Sequence, residues 1–381
     1  MQRNPRACRP DSKRIVESQG LIFSTNADGT AYWDESACYE FAEREILVLE
    51  KATNDLYKTC LAAGQAVIDR NLFDRFRIPP RLVPLIRRAW EQEPPSVYAR
   101  FDFAFDGRNP PKLLEFNADT PTALLEAAVV QWYWLQDTEP RADQFNSIHE
   151  RLIAKWKELR SYMKGRVLHL TSVRDSIEDE MTCAYVADCA SQAGIETRFL
   201  YVDAIGWNRD RRRFVDLDEE PITDLFKLYP WEWLTHPSEE FSQHIPEVEA
   251  SMHWIEPIWK MLWSNKALLA LLYEMFPHHP NLLPAFSDGP GPLRQYVKKP
   301  ILSREGANVT IVTNEGELAT GGTYGEEGFV WQAYCPLPDF GGQHPVIGSW
   351  LIDGVASGIG IRESTGLITG NESRFVPHFF R

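Results

Sequence analysis

Residues 97–122, V-Y-A-R-F-D-F-A-F-D-G-R-N-P-P-K-L-L-E-F-N-A-D-T-P-T, decide the fold of this chain. Apolar side chains fill the odd positions from 97 to 105 and polar ones fall on even positions, which is the two-residue period of a half-buried strand. The run D-G-R-N-P-P at 106–111 then breaks the strand. Residues 112–117 predict a second strand that buries Leu114 and Phe116. Together the two runs predict a β-hairpin.

The register of this hairpin brings polar side chains together on one face. If the turn is centred on residues 108–109, Asp102 faces Glu115 and Arg100 faces Asn117. Two carboxylates and an amide oxygen at cross-strand distance suit a hard cation such as Mg²⁺. The alternative is a polar face that is only solvated.

A helix start is predicted directly after the hairpin. Thr120 is a good N-cap residue, and Pro121 has the backbone geometry of a first helical position. The free N–H groups of that helix would form an anion site beside the metal ligands.

The motifs R-F-D-F at 100–103 and L-L-E-F-N-A-D at 113–119, followed by a helix rich in small and aromatic residues, carry a family resemblance. The chain resembles the synthetase domain of the glutathionylspermidine synthase family, which includes stand-alone acid–amine ligases. The resemblance extends over about residues 98–381. It implies an α+β fold of the ATP-grasp type and the ATP-dependent joining of a carboxylate to an amine through an acyl phosphate, with ATP and Mg²⁺ as cofactors.

Charge and composition narrow the partners. The 381 residues carry a formal net charge of −14, which disfavours general affinity for nucleic acid or an anionic membrane. The N-terminus lacks the apolar core of a signal peptide, and the sequence contains no apolar run of eighteen residues. Six cysteines are scattered without a C-x-x-C pair. We therefore expect a cytoplasmic protein.

The first half of the chain is predicted to be mainly helical. We expect a short strand near 21–23, a helix over 37–68, a buried helix from Pro121 and an amphipathic helix near 143–164. A strand at 166–170, a helix at 178–193 and a strand at 197–202 form a β-α-β unit, which indicates parallel pairing.

The second half alternates strands with short connections. Residues 222–233 predict a strand that carries Glu232 between two tryptophans, and Ser264 is predicted to cap a helix that ends at Pro277. Further strands are predicted at 296–301, 309–312 and 329–334, and Asp353-Gly354 predicts a hairpin between 345–352 and 355–362. The loop at 303–308 is small and polar, as in loops that hold phosphates.

The resemblance assigns roles to particular residues. It makes Asp102, Glu115 and Asn117 the metal ligands and Arg100 and Arg362 the residues that stabilise the transferring phosphoryl group. Lys266, Lys299 and the loop residues Arg304 and Gly306 would hold the phosphates, and Gln332 would meet the adenine. Asp119, Thr120, Thr122 and Glu232 would border the substrates. We expect four regions: a mainly helical 1–95, the metal-site hairpin with buried helices at 96–165, the β-α-β unit at 166–255, and the lysine strands, phosphate loop and C-terminal sheet at 256–381.

One motif departs from the family. The family's N-A-D-S-x-S reads N-A-D-T-P-T at 117–122, which keeps two hydroxyls but adds two methyl groups and a proline. This departure argues against glutathione itself, so the expected acid is a peptide or glutathione-like molecule of unassigned identity, and a polyamine is one candidate for the amine. The alternatives are a non-catalytic nucleotide-binding protein and an ATP-dependent kinase of a small carboxylic acid. Because the residues before Arg100 read as helix, no cysteine amidase domain is expected.

Overall fold

A computed structural model describes residues 1–26, 29–239, 242–248, 251–370 and 372–381. The strands are β1 (Gln2–Pro5), β2 (Ala37–Phe41), β3 (Tyr98–Ala104), β4 (Lys112–Asn117), β5 (Val167–Ser172), β6 (Glu196–Tyr201), β7 (Gly206–Asn208), β8 (Arg213–Val215), β9 (Asp224–Leu228), β10 (His253–Ile255), β11 (Ala285–Phe286), β12 (Tyr296–Pro300), β13 (Thr310–Thr313), β14 (Gly316–Ala319), β15 (Phe329–Ala333), β16 (His344–Ile352), β17 (Val355–Ser364), β18 (Arg374–Val376) and β19 (His378–Phe380).

The α-helices are α1 (Ser12–Ser18), α2 (Glu43–Arg70), α3 (Val83–Gln92), α4 (Gln131–Thr138), α5 (Ile148–Leu159), α6 (Ile177–Gln192), α7 (Trp231–Leu234), α8 (Ile245–Val248) and α9 (Ala267–Met275). A π-helical turn, Glu126–Val130, leads into α4. Among the described helices, none is both long and apolar enough to cross a bilayer. The prediction of a mixed α+β fold is confirmed.

The predicted hairpin forms the edge of an antiparallel sheet with the order β18-β17-β16-β3-β4. Its register is confirmed, because Asp102 pairs with Glu115 and Arg100 pairs with Asn117. The register then shifts between Asp102 and Phe103, so that Phe103 pairs with Leu113. This irregularity buries Leu113 and leaves Leu114 on the wall of a cavity. The prediction that Leu114 is buried was therefore wrong.

Strand β3 is more buried than its alternation predicts. Every residue from Tyr98 to Ala104 is buried, including Arg100 and Asp102, so the strand is covered on both faces. Phe101 stacks on Phe116 across the hairpin with ring centroids 4.0 Å apart. The apolar face is thus fixed by aromatic packing, and the polar face lies inside the protein instead of in bulk solvent.

A second antiparallel sheet has the order β11-β15-β12-β13-β14. The strands predicted at 296–301, 309–312 and 329–334 belong to it, and the hairpin around Asp353-Gly354 forms between β16 and β17. Strand β14 escaped prediction because all four of its residues are exposed and show no alternation.

The parallel pairing predicted from the β-α-β unit is confirmed in a sheet with the order β10-β9-β5-β6, where β6 and β9 both run parallel to β5. The strand predicted over 222–233 is too long, because β9 ends at Leu228 and Trp231–Leu234 is helical. Pro230 lies between the two elements and lacks the N–H that a strand would need.

Local signals at the N-terminus were partly misleading. No strand forms at 21–23, and an isolated bridge between Thr25 and Ala31 follows this segment. The helix predicted over 37–68 starts later, since Ala37–Phe41 is a strand paired with β1 and β19. Helix α2 begins at Glu43, where the Glu45 carboxylate accepts a hydrogen bond from the Ala42 N–H.

Two predicted helix caps are also wrong. The helix after the hairpin begins at Leu124, because Ala123 has a left-handed φ of 64° that interrupts a helix from Pro121. The predicted anion site at that helix start therefore does not form at Thr120. Ser264 does not cap α9; its hydroxyl accepts hydrogen bonds from the N–H groups of Ala118 and Asp119 at 3.0 and 2.8 Å.

Candidate active site

A cavity of about 390 Å³, here called the central cavity, opens where the hairpin, the parallel sheet and the second antiparallel sheet meet. Of the residues that the sequence predicts for the site, those on its wall are Arg100, Asp102, Glu115, Asn117, Thr120, Thr122, Glu232, Lys266, Lys299, Arg304, Gly306 and Arg362. Asp119 and Gln332 do not line it. The fold thus brings residues from distant parts of the chain to the wall of one cavity.

Two arginines converge on Asp102. The Arg100 guanidinium donates to both carboxylate oxygens of Asp102, with Nε–Oδ1 and Nη2–Oδ2 distances of 2.7 and 3.1 Å. Arg362 Nη2 donates to Asp102 Oδ2 at 3.0 Å. Burial alone would raise the pKa of Asp102, but the two guanidinium groups outweigh it and hold that pKa below its usual value. Asp102 is therefore a carboxylate held ionised by two fixed cations.

Glu115 and Lys266 form the neighbouring ion pair. Lys266 Nζ lies 2.8 Å from Glu115 Oε1 and donates to the Ser303 carbonyl at 2.8 Å. The Glu115 side chain is 36% exposed, whereas that of Lys266 is 6% exposed. Asn117 Oδ1 accepts a hydrogen bond from the Thr120 N–H at 3.2 Å. The hairpin face thus presents oxygen ligands next to a buried ammonium group.

The predicted Mg²⁺ ligands fit the ion by their chemistry. No cluster of three or more carboxylate, imidazole or thiol groups suited to a metal occurs within the described residues, so an ion bound here would depend on Asp102, Glu115 and the Asn117 amide. Each carboxylate oxygen has more than one lone pair, which lets Asp102 accept from arginine and still face a cation. Mg²⁺ is commonly held by one or two carboxylates and completes its shell with water and phosphate oxygens.

Lys299 is the second lysine of the site. Its Nζ donates to the Leu114 carbonyl at 2.9 Å and to Gln332 Oε1 at 2.8 Å. Burial and the nearby Lys266 charge lower the pKa of Lys299 to about 8, although Glu115 opposes the shift. Gln332 also donates to the Leu113 carbonyl at 2.9 Å, so its amide is engaged with β4 and Lys299. Gln332 therefore holds Lys299 and does not line the central cavity, and its contact with the adenine stays a prediction.

The loop at 303–308 contributes Arg304. Arg304 Nη1 donates to Thr120 Oγ1 at 2.7 Å, and Nη2 lies 3.1 Å from Glu232 Oε1. The N–H groups of Ala307 and Asn308 donate to the carbonyls of Arg304 and Gly321. These two N–H groups already have hydrogen-bond acceptors within the protein. In this structure they are therefore not free to bind phosphate, although the sequence predicts phosphate binding by the loop.

Asp119 lies outside the cavity wall, against the prediction that it borders the substrate. Its Oδ1 is 2.5 Å from Lys227 Nζ, and its Oδ2 accepts from the Trp231 N–H at 2.9 Å. Both side chains of this ion pair are buried. Burial raises the pKa of Asp119 and lowers that of Lys227, and each charge opposes the other's shift. Asp119 thereby fixes the start of α7, which carries Glu232.

The sequence reasoning missed Glu178 and Asp179, which lie on the cavity wall at the start of α6. Burial and the Glu178 charge raise the pKa of Asp179 to about 6. The available signal was topological: α6 follows β5, and ligands of parallel sheets bind outside the carboxyl ends of strands. Acidic residues are common in the first turn of any helix, so the sequence alone did not indicate that Glu178 and Asp179 belong to a site.

The chain matches the family described as glutathionylspermidine synthase preATP-grasp over residues 3–381. A relative in Haemophilus influenzae, named "Putative acid--amine ligase", is 43% identical over 387 residues, which cover 98% of this chain and 97% of the relative.

Two longer relatives match over part of their length. Trypanothione synthetase of Crithidia fasciculata is 30% identical to this chain, in an alignment that covers 83% of this chain and 52% of the length of the synthetase. The bifunctional glutathionylspermidine synthetase/amidase of Escherichia coli is 27% identical, in an alignment that covers 97% of this chain and 62% of the length of the bifunctional enzyme. The chain therefore spans about half to two thirds of these two proteins. The family model matches nearly every residue, and the resemblance seen in the hairpin motifs is confirmed. This chain therefore belongs to the glutathionylspermidine synthase family of ATP-dependent C–N ligases.

Proposed function

We propose that the chain joins a small carboxylic acid to a small amine: ATP phosphorylates the acid and leaves as ADP, and the amine then displaces phosphate from the acyl phosphate to form the amide. The observation that carries this proposal is the convergence of two carboxylates, two lysines and three arginines on the wall of the central cavity: Asp102, Glu115, Lys266, Lys299, Arg100, Arg304 and Arg362. The relatives' names support an acid and an amine as substrates.

The cations of the cavity suit the phosphoryl-transfer step. In that step negative charge spreads over the oxygens of the transferred phosphoryl group, so that catalysis depends on positioning and charge neutralisation. Arg100 and Arg362 are held in place by Asp102 and would stabilise the transferring group. Lys266 and Lys299 would neutralise the nucleotide phosphates. Asp102, Glu115 and Asn117 would hold Mg²⁺, which would supply further positive charge to the nucleotide phosphates.

The acid would lie against the segment at 117–122. Thr120 and Thr122 line the cavity there, next to Arg304, which can pair with a carboxylate. An acyl phosphate is readily hydrolysed, so the reaction needs water to be kept away from this intermediate. The two threonines keep the hydroxyls of the family's motif but add methyl groups, and so glutathione is one candidate among small peptide acids.

The amine would approach the acidic side chains of the parallel-sheet unit. Glu178, Asp179 and Glu232 all line the cavity, and their carboxylates would attract an ammonium group. With a pKa of about 6, Asp179 is largely ionised at neutral pH yet is a stronger base than an ordinary aspartate. It would accept the proton that the amine must lose. A polyamine is one candidate for such a substrate.

The decisive experiment is ADP release from the purified chain with acid alone, amine alone and both together, using glutathione and spermidine as the first pair. A ligase releases ADP in step with amide formation only when acid and amine are both present. Rapid ADP release with acid alone, accompanied by a stable phosphorylated acid, would identify a kinase. Nucleotide binding without turnover for any pair of small acids and amines would identify a non-catalytic module.

Raising the pH through about 8 is expected to weaken the binding of ADP. The charged form of Lys299 binds phosphate better, and its lowered pKa removes that charge at a pH where an exposed lysine keeps it. Lys299→Ala should weaken ADP binding roughly 10- to 100-fold at pH 7, the usual contribution of a charged hydrogen bond. Calorimetry at pH 7 and pH 9 measures both effects.

Lys298 provides a matched control for this prediction. Its Nζ lies 4.0 Å from the centre of the Phe329 ring, and the residue does not line the cavity. Lys298→Ala should keep the ADP affinity and its pH dependence. An unchanged affinity in Lys299→Ala would remove Lys299 from the nucleotide site.

This 381-residue chain is expected not to hydrolyse amides through a cysteine. A thiol nucleophile needs a lowered pKa, whereas burial raises the pKa of all six thiols, including Cys335 on the cavity wall. Offered glutathionylspermidine, the chain should release no free amine in the absence of ADP and phosphate. Nucleotide-independent cleavage that a thiol alkylator blocks would contradict this.

We propose the cytoplasm as the location of the protein. All six cysteines are unpaired, which suits a reducing compartment.

A further inference from the structure

A second cavity, here called the lateral cavity, lies between residues 19–22, the π-helical turn, α4, α5, α6 and β6. Its volume is about 770 Å³, within the range of small-molecule sites. Its wall shares no residue with that of the central cavity among the described residues. The proposed ligase reaction therefore makes no use of it.

The wall of the lateral cavity is rich in exposed aromatic side chains. Trp132, Tyr133 and Phe199 line it and are 38%, 50% and 43% exposed. The Tyr185 ring stacks against His149, whose Nδ1 lies 3.0 Å from the Tyr185 hydroxyl. Apolar side chains exposed together around one concavity indicate a binding surface more often than scattered single ones do.

The polar side chains of the same wall select the charge of the ligand. Glu150, Glu180 and Asp188 line the cavity, and the described lining residues include no lysine or arginine. Glu150 and Asp188 are exposed, whereas Glu180 is half-buried and accepts from the Tyr201 hydroxyl at 2.8 Å. The chain as a whole carries a charge of −14, which adds to the attraction for cations.

We propose that the lateral cavity binds an organic ammonium ion with an aromatic or alkyl body. The apolar body would cover the exposed rings, while the charged group would lie near the carboxylates and over an aromatic face, where cations are attracted by the ring. An anionic ligand would meet three carboxylates and no cation, and a neutral one would leave the charge complementarity unused.

The lateral cavity also shares a helix turn with the central cavity. Glu178 and Asp179 line the central cavity, and the next residues, Glu180 and Met181, line the lateral one. A ligand in the lateral cavity would therefore contact the turn of α6 that carries the acidic side chains of the central cavity. Binding is nevertheless measurable without ATP, so the test does not depend on the ligase proposal.

The test compares three indole probes of similar shape by calorimetry on the whole chain: tryptamine, which is a cation, the neutral alcohol tryptophol, and the anion indole-3-propionate. We expect tryptamine to bind one-to-one and about tenfold more tightly than tryptophol, with the anion weakest. Trp132→Ala should weaken tryptamine binding about tenfold, and Glu150→Gln with Asp188→Asn should bring its affinity close to that of tryptophol.

Two variants control for the location of binding. Tyr162→Ala removes an aromatic ring that is 63% exposed and lies outside the lateral cavity, and Glu232→Gln alters the central cavity; both should bind tryptamine as the wild type does. Equal affinity for the three probes, no binding at millimolar concentration, or loss of binding only in Glu232→Gln would overturn the proposal. A dimer in sedimentation that Trp132→Ala dissociates would assign the surface to a second copy of the chain and overturn it as well.

Discussion

Replacing Glu115 with alanine is expected to slow ATP turnover roughly 10²- to 10³-fold, because the change removes a charge from a phosphoryl-transfer site. The Glu115 carboxylate pairs with Lys266 and is one of the two carboxylates on the predicted metal face. The change also leaves the buried Lys266 ammonium without this counter-charge, although its hydrogen bond to the Ser303 carbonyl remains, so some loss of stability is expected beside the loss of turnover. ADP release with an accepted acid and amine, and the unfolding midpoint, measure the two effects separately.

The matched control for Glu115 is Glu317, an exposed residue of β14 that does not line the central cavity. Glu317→Ala removes the same charge from the same kind of element and should leave turnover unchanged. If Glu115→Ala keeps most of the activity, the metal-site assignment is wrong. If Glu115→Ala instead loses turnover and also lowers the apparent affinity for Mg²⁺ in a metal titration, the lost turnover comes from the metal site and not from the ion pair with Lys266.

The hairpin was predictable because the sequence pattern that determines it lies within one short stretch of the chain. A two-residue period on each side of a turn fixes which residues pair, and the pairing of Asp102 with Glu115 follows directly. The irregularity beside this pair was not predictable. Leu113 and Leu114 are both apolar, so the pattern is equally compatible with either one facing the core.

Features that depend on distant partners were the ones missed. Strand β2 has apolar residues that also fit a helix, and it is a strand because β1 and the C-terminal β19 pair with it. Asp119 stands in a motif that indicated a substrate contact, but its partner Lys227 is 108 residues away in sequence. No local pattern reveals such a pair, and the structure is needed to distinguish a positioning residue from one that faces the cavity.

Replacing Lys227 with methionine is expected to lower the free energy of unfolding by about 3–5 kcal/mol at pH 8, because it leaves the buried Asp119 carboxylate without its counter-charge. The Lys227 ammonium also lies 4.7 Å from the centre of the Trp231 ring. Asp119 holds the Trp231 N–H at the start of α7, so activity should fall together with stability. Chemical denaturation followed by tryptophan fluorescence measures the first effect, and ADP release measures the second.

The double variant Asp119→Asn with Lys227→Met serves as the control, because it removes the buried charge that the single variant leaves unpaired. It should recover part of the lost stability, although the asparagine amide replaces only some of the hydrogen bonds. The difference between the two variants should depend on pH. Without Lys227, burial raises the pKa of Asp119 further above its unfolded value. The carboxylate then costs stability at high pH, and this cost disappears as the pH falls and the group takes up a proton in the folded state. The gap between the single and double variants should therefore narrow from pH 8 to pH 5, and a gap independent of pH would show that Asp119 carries no buried charge.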